Sequence, residues 1–393
     1  MSLLAIPDEL LEVRATFRSF IEREVAPVED AHREEINETA TFEGIKDVRR
    51  GLQKRSAELG FWSMHMPEEV GGAGLGALCQ VLLHEENSRH GLVLASLDGL
   101  LPVVSGPSPV YLACNDDQRR RYLDPLIKGE LFTCFALTEP GAGSDASRLT
   151  THAAPDGDDW VVSGRKHFIT AGDVADLALV FATTDKGKGA HGGITAFLVE
   201  TSSPGFSVSR LQRTMSPFQN PAELTFDGVR VPGANVMGEV GQGFYAAVRG
   251  INLARLQIAA QALGIAQHLL DRMLEYAKTR TAFGGPIGEN QYVQGMVVDS
   301  FAELEQARLL VYESAAAVDA GADGRREGAI AKLVATEMVA RVADRAIQVH
   351  GGNGAMTEMG IEAWYRDVRP MRLYEGTSEL LRVNIAKTLG LGA

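Results

Sequence analysis

The stretch from Phe244 to Thr279 carries a long apolar period through Leu253, Ile258, Leu263, Leu270 and Leu274. An apolar stripe of that length cannot be buried by a small domain. It needs helical partners, and the chain downstream supplies them. Gln291 to Asp319, Glu327 to His350 and Glu379 to Leu389 show three more helical segments joined by short loops. Four such segments in succession predict a four-helix bundle over residues 236–393.

The texture upstream is different. From about residue 129 to 235 the apolar residues come in short runs: Val161-Val162, Leu177–Phe181, Ile194–Val199, Phe206–Ser209 and Glu223–Phe226. Glycine, proline and aspartate turns separate them, so this part reads as a small β-domain. Residues 1–128 read as helical again. Leu11, Val13, Phe17, Phe20 and Ile21 form one apolar face, and Leu52, Ala57, Leu59 and Phe61 suggest a second helix. Arg119-Arg120-Arg121, preceded by Asp116-Asp117, reads as an ion-rich helix face. The expected fold class is therefore α+β and multidomain: a helical N-terminal domain, a central β-domain and a C-terminal bundle.

Several function classes are disfavoured. A formal charge of −13 argues against general nucleic-acid or anionic-membrane binding. No apolar run reaches the roughly 18 residues of a membrane helix, and the start of the chain lacks a basic leader, so a cytoplasmic location is expected. Cys79, Cys114 and Cys134 are scattered with no C-x-x-C pair, which predicts small buried hydrophobes and no metal site. Gly141-Ala142-Gly143-Ser144-Asp145-Ala146 fits the loose dinucleotide fingerprint, but strands rather than a helix follow it. Without that helix N-terminus the loop is not a Rossmann turn.

Seven separated blocks resemble the acyl-CoA dehydrogenase family, flavoenzymes that desaturate acyl thioesters. They are Met66–Gly72, Leu137–Asp145, Gly164–Thr170, Arg280–Gly284, Gln348–Gly354, Arg366–Arg369 and Leu373–Thr377. The resemblance spans about residues 50 to 390 and implies the same three-part fold. It also implies FAD between the β-domain and the bundle. By resemblance, Phe135, Leu137 and Thr138 meet the isoalloxazine ring, Gly143 permits close approach, and Ser144 reaches a phosphate or the substrate. Phe168 and Thr170 cover another part of the ring. Arg280, Phe283 and Gln291, with Gln348, Gly351 and Gly352, would hold the pyrophosphate and adenine half of a flavin seated mainly in a neighbouring subunit. Thr377 completes that set. A homotetramer follows from the same reasoning.

The resemblance places the catalytic base at Glu375, between Tyr374 and Gly376, two residues that would line the substrate. Some relatives carry the base on the long helix, where this chain has Ala254; an alanine cannot take a proton, which strengthens Glu375. Asn252 and Arg255 would contact the pantetheine arm, and Leu97 and Leu101 would floor the acyl cavity. The expected partners are an acyl-CoA substrate and an electron-transfer flavoprotein. An acyl-CoA oxidase, a flavin monooxygenase or a non-catalytic flavoprotein on the same fold are the alternatives. A helix cap is the bland reading of Glu375. The chain departs from the family at Met215–Asn220, where a Gly-x-Arg-x-Ser/Thr run usually stands. His350 reads as a packed or capping residue.

Overall fold

The computed structural model describes residues 6–33, 36, 43–96, 99–103 and 105–392. Three helices of the C-terminal part carry its frame: α4 (Gly243–Thr279), α5 (Gln291–Asp319) and α6 (Arg325–His350). Their numbering follows three N-terminal helices, α1 (Asp8–Phe20), α2 (Lys46–Glu58) and α3 (Ala77–Arg89). Two short helices finish the chain, α7 (Ile361–Val368) and α8 (Ser378–Thr388). Leu256, Leu263 and Leu270 of α4 meet Leu304 and Val311 of α5 and Ala335, Val342 and Val349 of α6. The predicted segments and the observed helices coincide to within two residues at each end.

Sequence periodicity gave no sign of α3. It is buried on almost every face from Ala77 to Ser88, so it has no apolar stripe for a periodic reading to find. Its Ala77, Leu78, Val81 and Leu82 join the same core as α4, α5 and α6. The N-terminal and C-terminal helices therefore share one interior. Gly264 makes the approach possible: a Cβ there would lie 2.3 Å from the Glu85 carbonyl oxygen. The acidic side chains that α3 carries inward are neutralised by its neighbours. Glu86 accepts from Arg14 at 2.7 Å and Arg18 at 2.6 Å, and Glu85 accepts from Arg308 at 2.9 Å. Two residues expected in the N-terminal apolar faces lie elsewhere. Leu11 is 43% exposed, and Leu59, beyond the end of α2, is 38% exposed. Phe17, Phe20 and Ile21 are buried as expected.

The central domain is one sheet of eight strands: β1 (Thr133–Ala136), β2 (His152–Asp156), β3 (Asp159–Ile169), β4 (Leu177–Thr183), β5 (Ile194–Glu200), β6 (Phe206–Leu211), β7 (Ala222–Val231) and β8 (Val236–Met237). The order is β6-β7-β3-β2-β4-β5-β8, with β1 beside β4. Pairs β1–β4 and β2–β4 are parallel, the rest antiparallel. The segment Pro155–Asp159, rich in turn-forming residues, is nonetheless mostly strand; only Gly157 and Asp158 lie outside β2 and β3. Strand β4 shows why both faces are covered. Leu177, Leu179 and Phe181 pack with Met66, Tyr111 and Leu126, whereas Ala178, Val180 and Ala182 pack with Val162, Leu224 and Phe226. Cys79 and Cys134 are buried, and Cys114 is half-buried.

The atypical Met215–Asn220 segment links the sheet to the bundle. Ser216 donates to the Asp367 carboxylate of α7, and Phe218 packs on Trp364 with ring centroids 5.4 Å apart. Burial pushes Asp367 up from 3.8 to about 6, a shift the Ser216 hydrogen bond only partly opposes. A carboxyl raised in this way favours the folded chain while protonated. That contribution is full below about 3.8 and is lost as pH rises through about 6. Asp367→Asn keeps an acceptor for Ser216 without the charge. It should be more stable than the native protein at pH 8, by up to about 3 kcal/mol, with the difference gone near pH ~4. Melting curves at the two pH values check this; a variant that melts lower at pH 8 would contradict it.

Candidate active site

Four described non-glycine residues have left-handed backbone: Phe168 (φ 58°), Ala171 (φ 57°), Phe283 (φ 54°) and Glu375 (φ 52°). Such conformations cost about 1–3 kcal/mol each and persist where the surroundings enforce them. Three of the four are residues that the sequence assigned to the site, and Ala171 adjoins Thr170. The unfavourable backbone is thus concentrated where chemistry is expected.

The first cluster lies at the end of the sheet. Phe135 of β1 packs on Phe181, with centroids 4.9 Å apart. The chain then leaves the strand through Leu137 and Thr138. The His167 N–H donates to the Thr138 carbonyl at 2.8 Å, which ties this loop to β3 and brings it beside Phe168 and Thr170. A buried ion pair fixes the loop from below. Lys166 Nζ donates to Glu139 at 2.8 Å and to the Leu137 carbonyl at 2.9 Å, and neither charged side chain is more than 2% exposed. Glu139 also accepts from the Thr150 and Thr151 N–H groups at 2.7 and 3.0 Å. Burial alone would raise Glu139, but Lys166 and these donors hold it well below the usual carboxylate range. Sequence reading missed this pair; its two partners lie 27 positions apart and carry no local pattern.

Gly143 and Ser144 are exposed on the same loop. Gly143 has no positive φ, and a Cβ on it would meet no atom within 4 Å. Gly352 is the same, and a Cβ on Gly351 would also meet open space. Nothing within the chain demands glycine at 143 or 352. Bare backbone facing open space at these positions fits a group from outside the chain that needs close approach.

The second cluster is at the far end of α4. Arg280 follows its last residue, Phe283 tips the small hairpin of β9 (Thr281–Ala282) and β10 (Gly285–Pro286), and Gln291 begins α5. Gln348, Gly351 and Gly352 reach the same place. His350 stacks on Tyr276 at 4.3 Å, and Asn353 donates to the Tyr276 hydroxyl at 3.0 Å. His350 is buried with Nδ1 2.7 Å from the Ala346 carbonyl, as a packed residue should be. Phe283 is fully exposed.

The third cluster holds Glu375. Arg255 of α4 donates through Nε to the Glu375 carbonyl at 3.0 Å and through Nη1 to Asn252 at 3.1 Å. Burial lowers the Arg255 pKa, opposed by the charge of Glu375. Expected on the pantetheine arm, this guanidinium and Asn252 are engaged by the protein itself. Thr377 likewise has a job within the chain: its hydroxyl caps α8 by accepting from the Leu380 N–H at 3.2 Å. Thr377 is thus the N-cap of α8, and Glu375 stands two residues before it. Ala254 is buried. Leu101 is buried in the N-terminal core with Phe17 and Leu94, and Leu97 lies outside the described residues.

Twenty-five residues of helical rise separate Arg255 from Arg280 in the sequence. At ~1.5 Å per residue that is about 37 Å along α4, so the second and third clusters stand far apart on that helix.

Sequence profiles of the acyl-CoA dehydrogenase N-terminal, middle and C-terminal domains match residues 7–130, 134–229 and 241–390. The chain belongs to the acyl-CoA dehydrogenase family. It is 38% identical over 382 residues to a 3-(aryl)acrylate reductase of Clostridium sporogenes, covering 96% of this chain and 97% of that protein. It is 37% identical over 385 residues to the mitochondrial short-chain specific acyl-CoA dehydrogenase of Mus musculus, covering 97% and 90%. The butyryl-CoA dehydrogenase structure from Megasphaera elsdenii superposes with a TM-score of 0.85 at 32% identity, covering 98% and 99%. Membership makes this protein an FAD-dependent oxidoreductase of acyl-CoA dehydrogenase type. The open glycine positions above suit that cofactor. Among the described residues there is no grouping of three metal-ligating side chains, and no helix is long and apolar enough to cross a membrane.

Proposed function

We propose that this protein removes two hydrogens from adjacent carbons of an acyl-CoA thioester to give the trans-2-enoyl-CoA, with Glu375 as the base. The observation that carries this is the Tyr374-Glu375-Gly376 block, in which the carboxylate-bearing residue has left-handed backbone two residues before the Thr377 helix cap. The α-proton passes to the Glu375 carboxylate. The β-hydrogen leaves with its electron pair, and bound FAD supplies the two-electron acceptor for it. The Glu375 N–H would donate to the thioester oxygen and stabilise the charge that develops there. Phe135, Leu137, Thr138, Phe168 and Thr170 would hold the reacting ring of the cofactor, with Ser144 at a phosphate or at the substrate. Anaerobic titration of the flavin spectrum with a panel of acyl-CoAs tests the reading. Bleaching by a saturated acyl-CoA supports it; no bleaching by any member of the panel overturns it.

The resemblance of 38% to a reductase raises the reverse direction. The same groups serve it, Glu375 then returning the proton. A chemically reduced protein that is reoxidised by enoyl-CoA, while saturated acyl-CoAs leave the oxidised protein unbleached, would favour that direction.

The second cluster would bind the pyrophosphate and adenine of a cofactor held by another copy of the chain. A guanidinium matches two phosphate oxygens at once. Exposed Val298, Phe301 and Leu309 share one face of α5, with exposed Phe283 and Tyr292 near its start, and a second copy would cover them within a homotetramer. Arg280→Ala should therefore release FAD and loosen assembly together. Flavin content and light scattering on the same preparation check this. Loss of FAD from a protein of unchanged mass would separate the two effects.

The electron acceptor would be an electron-transfer flavoprotein. With product bound, the reduced protein should pass electrons to that partner much faster than to oxygen. Stopped-flow reoxidation in air decides: stoichiometric peroxide at turnover speed would make the protein an oxidase.

A further inference from the structure

We propose that Lys332 is a positioning residue for the base, holding the backbone on both sides of Glu375 in the turn that presents its carboxylate. The inference rests on Glu375 being the base. Lys332 lies on α6 and is fully buried. Its Nζ donates to the Tyr374 carbonyl at 2.8 Å and to the Gly376 carbonyl at 2.7 Å. Arg255, from α4, takes the carbonyl between them. Three successive carbonyls of the catalytic block are thus gripped by two cations from two different helices.

The grip accounts for the backbone. A left-handed glutamate is unfavourable on its own and needs enforcement from outside. Gly376 supplies room, since a Cβ there would come within 3.3 Å of Arg255 Nη2. Lys332 supplies the tie, because it bonds the residue before Glu375 and the residue after it.

The chemistry of the tie also distinguishes it from a simple strut. The other buried lysine, Lys166, is hydrogen-bonded to a carboxylate, whereas the two hydrogen-bond acceptors of Lys332 are neutral carbonyls. Burying an ammonium against neutral groups is costly. Burial pushes Lys332 down to about 8, and the charge of Glu375 is the largest influence holding it up. The largest favourable charge for this cation is therefore the base itself, with Glu337 and Glu379 adding to it and Arg255 opposing it. A neutral donor would satisfy the carbonyls at less cost, but would not place a positive charge beneath the carboxylate.

The test uses the FAD-loaded protein and a 3-thia-acyl-CoA, whose sulfur at the β position leaves no hydride to transfer. Exchange of its α-hydrogens with D2O, read by mass spectrometry, reports proton removal alone. In Lys332→Met, FAD content and the Kd for the analogue should stay within about twofold of the native protein. Exchange at saturation should fall about 100-fold, the loss that goes with an ångström-scale misplacement of a reacting group. Flavin reduction by a true substrate should fall with it. A strut without a positioning role would lower Tm and weaken binding but leave saturated exchange unchanged. Exchange within about threefold of native in a folded, FAD-loaded variant overturns the inference. Should Lys332→Met fail to fold, Lys332→Gln keeps one donor without the charge and is held to the same criterion. Failure of the parent reading looks different. If Glu375→Gln exchanges at the native rate, Glu375 is not the base; if Glu375→Gln is inert and Lys332→Met is native-like, only the role of Lys332 falls.

Discussion

Glu375→Gln should keep FAD and bind acyl-CoA, yet bleach the flavin at least about 100-fold more slowly, the low end of what a general base contributes. The amide preserves the size of the side chain and part of its hydrogen bonding. The gripped carbonyls of residues 374–376 belong to the backbone, so the turn should survive the substitution. Only the proton acceptor is removed. Single-turnover bleaching at saturating substrate measures the effect, and a native rate would send the search for the base elsewhere. Some relatives take the same proton from the position of Ala254, next to Arg255. Ala254→Glu in a Glu375→Gly background should therefore recover part of the rate. Full recovery is not expected, because proton transfer is sensitive to placement. Ala254 is buried, so the longer side chain must find room beside Asn252 and Arg255.

The largest stability effect should come from Lys166→Met. The substitution leaves Glu139 charged, buried and without its cation, a situation that costs about 3–5 kcal/mol. With three hydrogen bonds from Thr150 and Thr151 still converging on Glu139, the carboxylate cannot simply turn to solvent. Tm should fall by roughly 5 °C. The Leu137 carbonyl loses its donor at the same time, so FAD should dissociate more readily. Adding Glu139→Gln to the variant removes the stranded charge and should recover most of the melting temperature. It should not restore FAD affinity, since Leu137 remains untied. Thermal melts and flavin release across the three proteins give both readings. A double variant no more stable than Lys166→Met would show that the pair is not the source of the loss.

The helices of the bundle were legible because each buries one side and leaves the other wet, which writes a 3.6-residue period into the sequence. Strands β3 to β7 were legible from short apolar runs between turn residues, whereas β1, β2 and β8 lie outside those runs. Helix α3 was not, because an element buried all round has no period, and its glutamates disguise it further. Leu11 and Leu59 misled for the opposite reason: they fit a local pattern, but no partner element covers them.

The site divides the same way. Residue identity determined the candidate groups: a carboxylate in Tyr374-Glu375-Gly376, glycines bare enough for close approach, an arginine and an aromatic at the end of the long helix. None of that depends on distance. What only the tertiary structure decided is how those groups are held. Arg255 turns to the Glu375 carbonyl, Thr377 takes the helix cap, and Lys166 and Lys332 fix the two loops from beneath. Lys332 is 42 and 44 positions from the two carbonyls it joins. A contact of that kind leaves no mark in local sequence, because its energy depends on burial and on the meeting of two helices, and both exist only once the chain has folded.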